Sequence, residues 1–191
     1  MKKIILGILV LVFGSVLSAN NSNIDTLRQK CNSGNFDSCV ETAFLYIDGV
    51  GVSKDYKKAH DYLKKACDGG DARGCFNLGV SYRDGRGVKQ DIQTALKYFD
   101  IACNDGSAAS CLMIGTLYDG SLYNMEEYRI EKDYKKAFDS YQKACDLENG
   151  FGCYFVAGLF ARGKGVTANS TKALEYLDKA CDFGLKDACS K

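Results

Sequence analysis

Apolar, small and aromatic residues recur along the chain at spacings that place them on one face of a helix. After Cys75, Leu78 follows at three residues, Gly79 at four and Tyr82 at seven. These offsets fall on one side of an α-helix, which has 3.6 residues per turn. Equivalent sets are Thr42, Ala43 and Tyr46; Ile114, Gly115 and Tyr118; and Val156, Ala157 and Phe160. The pattern predicts four similar helices, which we name the A helices.

A second helix, the B helix, is predicted after each A helix. Gly49, Gly85 and Gly163 each open a Gly-x-Gly-Val segment just past an A helix, where glycine is typical of a helix end. The N-caps expected for the B helices are Asp55, Asp91, Asp133 and Asn169. From these positions alanines recur seven residues apart, as at 59 and 66. The chain therefore reads as an all-α array of helical hairpins.

Residues 1–19 have the pattern of a secretory signal peptide. Lys2 and Lys3 precede an apolar run over residues 4–17, and small residues follow at Ser18 and Ala19. The run is shorter than the roughly 20 residues that span a bilayer. We expect an exported protein, secreted or periplasmic, with no membrane span after cleavage; a retained N-terminal anchor is the alternative.

Ten cysteines fall into five pairs, and the partners in every pair are eight positions apart. The pairs are Cys31 and Cys39, Cys67 and Cys75, Cys103 and Cys111, Cys145 and Cys153, and Cys181 and Cys189. Successive pairs lie 36, 36, 42 and 36 residues apart, which is typical of a repeat array. Structural zinc sites favour C-x2-4-C spacing and often histidine, whereas this chain has C-x7-C and one histidine. Because export favours oxidation, we expect a disulfide within each pair.

Composition narrows the classes of function. The chain has 25 basic and 24 acidic residues, so its net charge of +1 does not favour a nucleic-acid partner. The Gly-x-Gly-Val segments follow predicted helices, whereas a nucleotide-binding glycine loop follows a strand. We therefore expect no nucleic acid, no cofactor and no metal.

The expected organisation has three parts. A signal peptide occupies 1–19, an N-terminal capping half-repeat 20–36, and four helical repeats with a C-terminal half-repeat 37–191. A single hairpin leaves its apolar face open, so the hairpins must stack to bury it.

The repeat unit resembles the Sel-like repeat, a relative of the tetratricopeptide repeat, in the run Leu78-Gly79-x-x-Tyr82-x-x-Gly85-x-Gly87-Val88 with Asp91, Ala95 and Ala102. With its C-x7-C pairs the chain is similar, over residues 24–191, to the cysteine-rich Sel-like repeat proteins of Helicobacter. The resemblance implies a right-handed α/α solenoid of disulfide-stapled hairpins with a surface for a protein or peptide. Some members are described as penicillin-binding proteins and slow β-lactamases, so the resemblance implies that activity as well.

The third repeat departs from this pattern. It has six extra residues, and the segment from Asp119 to Lys132 replaces the Gly-x-Gly-Val loop. With Tyr123, Met125 and Tyr128 this segment is a candidate binding loop, and an extended helix is the alternative.

Catalytic candidates are few. Ser140 and Lys143 form an S-x-x-K pattern, in which penicillin-recognising enzymes use the lysine to activate the serine, but the chain has no S-D-N or K-T-G. The residues equivalent to Ser140 in the other repeats are Tyr62, Tyr98 and Tyr176. His60 is a possible general base by residue type, but leucine or phenylalanine occupies the equivalent positions, which favours a packing role.

The A-helix face opposite the core is the candidate ligand groove. Its residues are Glu41, Phe44, Asn77, Val80, Asp84, Met113, Phe155 and Arg162. An apolar floor with polar side groups suits an extended peptide, and packing against neighbouring A helices is the alternative.

The function expected is a monomeric, non-enzymatic scaffold that binds a protein or peptide, with cell-wall peptide as one candidate ligand. The second hypothesis, a weak β-lactamase or penicillin-binding protein, rests on the resemblance alone.

Overall fold

The computed structural model describes residues 23–121 and 130–189, and the regular structure in these ranges is helical. Two compact units are distinguished, one ending at Asp91 and the other beginning at Ile92. The predicted signal peptide at 1–19 lies outside the described residues, as do Tyr123, Met125 and Tyr128 of the insertion.

The first unit contains one complete hairpin and its two neighbouring helices. Its helices are α1 at 23–32, α2 (Phe36–Asp48), α3 (Tyr56–Asp68) and α4 (Ala72–Asp84). Helices α2 and α3 form the hairpin, and α4 packs against both of them. Helix α1 lies within the range 20–36 that is predicted as a capping half-repeat, and its Arg28 donates a hydrogen bond to the Tyr46 hydroxyl of α2.

The second unit continues the alternation of A and B helices. It contains α5 (Ile92–Asn104), α6 (Ala108–Asp119), α7 (Tyr134–Asp146), α8 (Gly150–Arg162), α9 (Ser170–Asp182) and a short 3-10 turn (Lys186–Ala188). Helix α6 pairs with α7 and α8 pairs with α9, while α5 packs on α6 and α7 packs on α8. The A helices here are therefore α6 and α8.

The helix ends follow the predicted capping residues. The side chains of Asp55, Asp133 and Asn169 accept hydrogen bonds from the backbone N–H three residues later. At the other end of the A helices, Gly49 and Gly163 adopt left-handed backbone conformations that close the last turn.

All five predicted disulfides are confirmed. Each joins the end of one helix to the start of the next repeat, with Cα atoms 4.5–4.9 Å apart. In the chain-entropy model, closing a loop of nine residues stabilises the folded state by about 2.5 kcal/mol per bridge. The four bridges from Cys31 to Cys153 are buried, whereas Cys189 of the last bridge is exposed.

The second glycine of the Gly-x-Gly-Val segment has a role that the sequence pattern did not reveal. Gly87 and Gly165 have positive φ angles, and a Cβ on either one would overlap a backbone carbonyl oxygen. That oxygen belongs to Tyr56 for Gly87 and to Tyr134 for Gly165, the first residue of a B helix in the preceding repeat. The loop of one repeat therefore rests directly on the backbone of the repeat before it.

Replacing Gly165 by alanine should destabilise the protein far more than replacing Gly106. Both residues have positive φ, which costs an alanine roughly 1–2 kcal/mol, but the space around Gly106 is open. We expect a loss of about 1 kcal/mol for Gly106→Ala and about 3 kcal/mol for Gly165→Ala, because only the latter also meets the Tyr134 backbone. Urea unfolding with the disulfides intact measures both, and equal losses would contradict the backbone contact.

Mild reduction should open the bridge between Cys181 and Cys189 first. Thiol–disulfide exchange requires access to a sulfur atom, and only this bridge has an exposed cysteine among the five. Alkylation of the native protein after brief treatment with a dithiol, followed by peptide mass spectrometry, should label Cys181 and Cys189 before any other cysteine. Simultaneous labelling of all ten would show that the bridges open together by unfolding.

Candidate functional site

In the first unit, the predicted groove residues of α2 and of the middle of α4 include exposed and half-buried apolar side chains. Phe44 is 41% exposed although it is a large aromatic residue, and Glu41 beside it is also exposed. Val80 of α4 is half-buried. This face therefore offers both apolar area and a carboxylate.

The two polar groove residues of α4 make local contacts. The Asn77 side-chain amide donates a hydrogen bond to the Arg73 carbonyl oxygen at 2.8 Å. Asp84 forms ion pairs with Arg83 at 2.7 Å and with Arg86 at 3.3 Å. Part of the hydrogen-bonding capacity of these side chains is therefore used within the first unit.

In the second unit, Phe155 and Arg162, the predicted groove residues of α8, line a cavity. It has a volume of about 320 Å3 and lies between α8 and α9. Its lining residues are Tyr154, Phe155, Ala157, Gly158, Ala161, Arg162, Ala173 and Leu177. Apart from Arg162 and the hydroxyl of Tyr154, this lining is apolar, as is usual for ligand pockets.

Phe155 both packs against a neighbouring helix and lines the cavity. Its ring stacks on Tyr141 of α7, with centroids 4.7 Å apart and planes 14° apart. Part of this ring therefore packs against a neighbouring helix, but that helix is the B helix α7 and not an A helix as in the alternative. Met113, the groove residue predicted on α6, is half-buried.

The fourth hairpin exposes more apolar surface than the equivalent positions earlier in the chain. Leu174 is 58% exposed, whereas the equivalent His60 is 7% exposed beneath the ring of Tyr82, 5.2 Å away. Phe138, also equivalent, is covered by Phe160 of the following A helix at 5.4 Å. After α9 the described residues form a 3-10 turn, and Leu174 is not covered by them.

Tyr141 is a buried polar residue whose partner the sequence did not reveal. Its hydroxyl donates a hydrogen bond to Asp119 Oδ2 at 2.7 Å, and burial raises the pKa of the phenol. The ring occupies the space where a Cβ on Gly115 would lie. The equivalent residues 63, 99 and 177 are leucine or phenylalanine, so the third hairpin alone has a hydroxyl at this position. The hydrogen bond connects α7 to Asp119, the residue at which the insertion begins.

The two catalytic candidates are not brought together as a catalytic pair. The Ser140 hydroxyl donates to the Lys136 carbonyl oxygen at 2.8 Å. The Lys143 ammonium donates to Asn104 Oδ1 at 2.6 Å. A nucleophilic serine needs a base within hydrogen-bonding distance, and the described contacts of Ser140 supply none.

His60 is a core residue. It is 7% exposed, its Nδ1 atom has no hydrogen-bond partner, and burial lowers its pKa. A smaller contribution from Asp61 opposes this shift and one from Lys64 adds to it. His60 is therefore held neutral in a contact with Tyr82 and is not poised as a surface base.

Comparison with known proteins identifies the repeat. A family model described as the Sel1 repeat matches residues 37–71, 72–107, 108–149 and 150–184. The chain belongs to the Sel1 repeat family. Of the solved structures, cysteine-rich protein B of Helicobacter pylori is 33% identical, with a TM-score of 0.53, over 71% of this chain and 93% of that one. A protective antigen of uropathogenic Escherichia coli with an SLR fold is 25% identical, with a TM-score of 0.76, over 87% of this chain and 34% of that one.

Curated Sel1 relatives match shorter segments. The Helicobacter pylori protein named β-lactamase HcpA is 37% identical over 46 residues, which is 24% of this chain and 18% of that protein. The chain spans about a fifth of the length of the curated relatives that it matches. The enzyme name belongs to that relative, and the contacts of Ser140 and Lys143 give it no support here.

The Sel1 comparisons confirm the fold class and the predicted resemblance: an all-α array of disulfide-stapled hairpins, a fold used for protein interaction. Together with the five disulfides, the Helicobacter relative indicates an extracytoplasmic protein. In the described ranges, every helix is too short or too polar to cross a membrane.

Stability should fall as the pH drops below about 6.5, and His60 should account for this fall. The unfolded chain protonates its only histidine near pH 6.5. The folded chain resists protonation because burial lowers the pKa of His60. Stability is therefore full above pH 6.5 and decreases until the pH reaches the folded pKa.

Thermal unfolding of the wild type and His60→Leu between pH 7.5 and 5 checks this. Leucine occupies the equivalent position at 96 and 174, so the variant should fold and should lose the pH dependence in this range. Parallel profiles for the two proteins would assign the effect to other groups.

Proposed function

We propose that this protein is an exported Sel1 repeat scaffold that binds a protein or peptide partner along its A helices, with the cavity between α8 and α9 as the principal site. The observation that carries the proposal is that Phe155 and Arg162, two predicted groove residues, line the same cavity. A peptide side chain that enters this cavity would contact Phe155, Ala173 and Leu177.

The chemistry of the cavity favours an apolar residue next to a carboxylate. Gly158 has no side chain, and its open surface lets the Arg162 guanidinium fold back beside the cavity, within 2.8 Å of where a Cβ would stand. Arg162 is the one formal charge in the lining. Guanidinium groups bind carboxylates through paired hydrogen bonds, so peptides with an acidic residue or a free carboxyl group, including cell-wall peptides, fit this site.

Export supports an extracellular or periplasmic partner. The signal peptide proposed at 1–19 would deliver the chain to an oxidising compartment, where the five disulfides form and persist. The remaining organisation that we propose is the capping half-repeat at 20–36 and the repeat region at 37–191. N-terminal sequencing of protein purified from the native envelope or medium would give Asn20 as the first residue if the signal is cleaved as expected.

Filling the cavity should weaken peptide binding without loss of the fold. Random peptides are selected on the oxidised wild type, and the dissociation constants of the selected peptides are measured by titration calorimetry. Gly158→Leu should weaken binding at least tenfold, because leucine would occupy the cavity and the atoms nearest to its Cβ belong to the flexible end of Arg162. Arg162→Gln should weaken binding to acidic peptides selectively.

The matched control is Glu175→Leu, an exposed residue of α9 outside the cavity lining. It adds the same apolar side chain to the same hairpin and should leave affinity unchanged. Selected peptides that bind Gly158→Leu as tightly as the wild type would exclude this cavity as the site.

A further inference from the structure

Ring stacking between the A and B helices is a recurring contact in this protein. In the first hairpin Tyr46 of α2 stacks on Tyr62 of α3, with ring centroids 5.9 Å apart and planes 12° apart. In the fourth hairpin Phe160 of α8 stacks on Tyr176 of α9 at 5.7 Å and 23°. In both hairpins the B-helix ring lies seven residues after the N-cap.

A lysine accompanies the A-helix ring in each of these hairpins. Lys58 lies over Tyr46 and Lys172 lies over Phe160, each 5.3 Å from the ring centroid. The third hairpin keeps this part of the arrangement, because Lys136 lies 5.0 Å from the centroid of Tyr118. The A-helix ring and the lysine are thus both in place in the third hairpin.

The third hairpin differs at the position of the stacking tyrosine. Seven residues after the N-cap Asp133, the chain has Ser140. Serine lacks the aromatic ring of tyrosine, and a cavity of about 260 Å3 lies next to Ser140. Its lining residues are Leu96, Asp100, Ile114, Tyr118, Lys136, Asp139 and Ser140. An apolar cavity of about 150 Å3 is enough to admit benzene.

We propose that this cavity is a receptor pocket for an aromatic side chain of a polypeptide partner, which stacks on Tyr118 as Tyr62 stacks on Tyr46. The partner's ring would replace the tyrosine that the other hairpins carry in their own B helix. Ile114 is 7% exposed and forms an apolar floor. Offset stacking of aromatic rings stabilises a contact beyond the effect of burial alone.

The surroundings of the pocket favour a polypeptide over a free aromatic molecule. A second cavity of about 410 Å3 shares Leu96, Tyr118 and Lys136 with the first and continues along Gln93 and residues 130–133. A ligand with a ring in the first cavity can therefore extend a chain into the second. The carboxylates of Asp100 and Asp139 line the pocket, and each already accepts one hydrogen bond at Oδ2, from Asn104 at 3.3 Å and from Lys135 at 3.2 Å. A carboxylate can accept several hydrogen bonds, so both retain capacity for backbone N–H or phenol O–H groups.

This pocket goes beyond the proposed function. It shares no lining residue with the cavity between α8 and α9. The two sites are therefore tested by different variants, and either one can fail alone.

The test uses the oxidised full-length protein and the capped peptide acetyl-Gly-Tyr-Gly-amide, with acetyl-Gly-Leu-Gly-amide and p-cresol as comparisons. Binding is followed by NMR shifts of the methyl groups of Leu96 and Ile114. The tyrosine peptide should give saturable shifts, the leucine peptide should bind at least fivefold more weakly, and p-cresol at least threefold more weakly.

Ser140→Tyr should lower the affinity for the tyrosine peptide at least tenfold and raise the melting temperature, because the chain then fills its own pocket. Glu175→Tyr adds the same ring at an exposed position of α9 outside the pocket lining, and it should bind the tyrosine peptide as the wild type does. Tyr62→Ser in the first hairpin is the reciprocal control, since it should create a second binding site beside Tyr46.

Several outcomes would overturn the proposal. These are no saturable shift in the wild type, unchanged affinity in Ser140→Tyr, or tighter binding of p-cresol than of the peptide. If Ser140→Tyr does not fold, Tyr118→Leu keeps apolar volume but removes the stacking ring, and it should lose at least fivefold in affinity. Unchanged affinity in that variant would equally overturn the proposal.

Discussion

The covalent link between successive repeats is the constraint on which this structure depends. Each disulfide holds the last turn of one helix close to the start of the next repeat, with the two Cα atoms within 5 Å of each other. The chain must then reverse within the few residues between the cysteines, and this reversal uses one residue with a positive φ angle. That residue is glycine at 34, 70, 106 and 184, and Glu148 in the remaining turn. The eight-residue spacing of the cysteines and the left-handed residue three positions after the first cysteine together allow the chain to reverse and the disulfide to close.

Local patterns predicted most of the helical architecture, because capping, helix termination and periodic burial depend on residues close in sequence. The N-caps at 55, 133 and 169 and the inward faces of the A helices follow directly from such patterns. The contact of Gly165 with the Tyr134 backbone does not, because its partner is 31 positions away and belongs to another repeat. The hydrogen bond from Tyr141 to Asp119 was missed for a different reason: the repeat period marked Tyr141 as a core position but contained no information about its hydroxyl.

In the candidate sites, too, the sequence predicted the positions of residues on helix faces but not the contacts that their side chains make. Helical offsets predicted Phe155 and Arg162 as groove residues, and both line a cavity. A cavity between two helices depends on which helix face each residue occupies and on the size of its side chain, and both can be deduced from the sequence. The offsets also selected Asn77 and Asp84, whose polar groups are engaged by Arg73, Arg83 and Arg86 within the first unit. Repeat alignment placed Ser140 among tyrosines and so argued against a catalytic role. The same alignment also shows that position 140 lacks the aromatic ring that the other repeats have. The importance of this difference became evident only from the structure, in which Tyr118 and Lys136 remain in place next to Ser140.

The accessible face of the fourth hairpin has a consequence for engineering. The bridge from Cys181 to Cys189 already begins another junction, and Leu174 and Leu177 lie where a following A helix would pack. A further 36-residue module grafted in phase after Cys189 would meet a prepared apolar surface and a formed covalent hinge. An engineered array could therefore be lengthened at this junction by one repeat at a time.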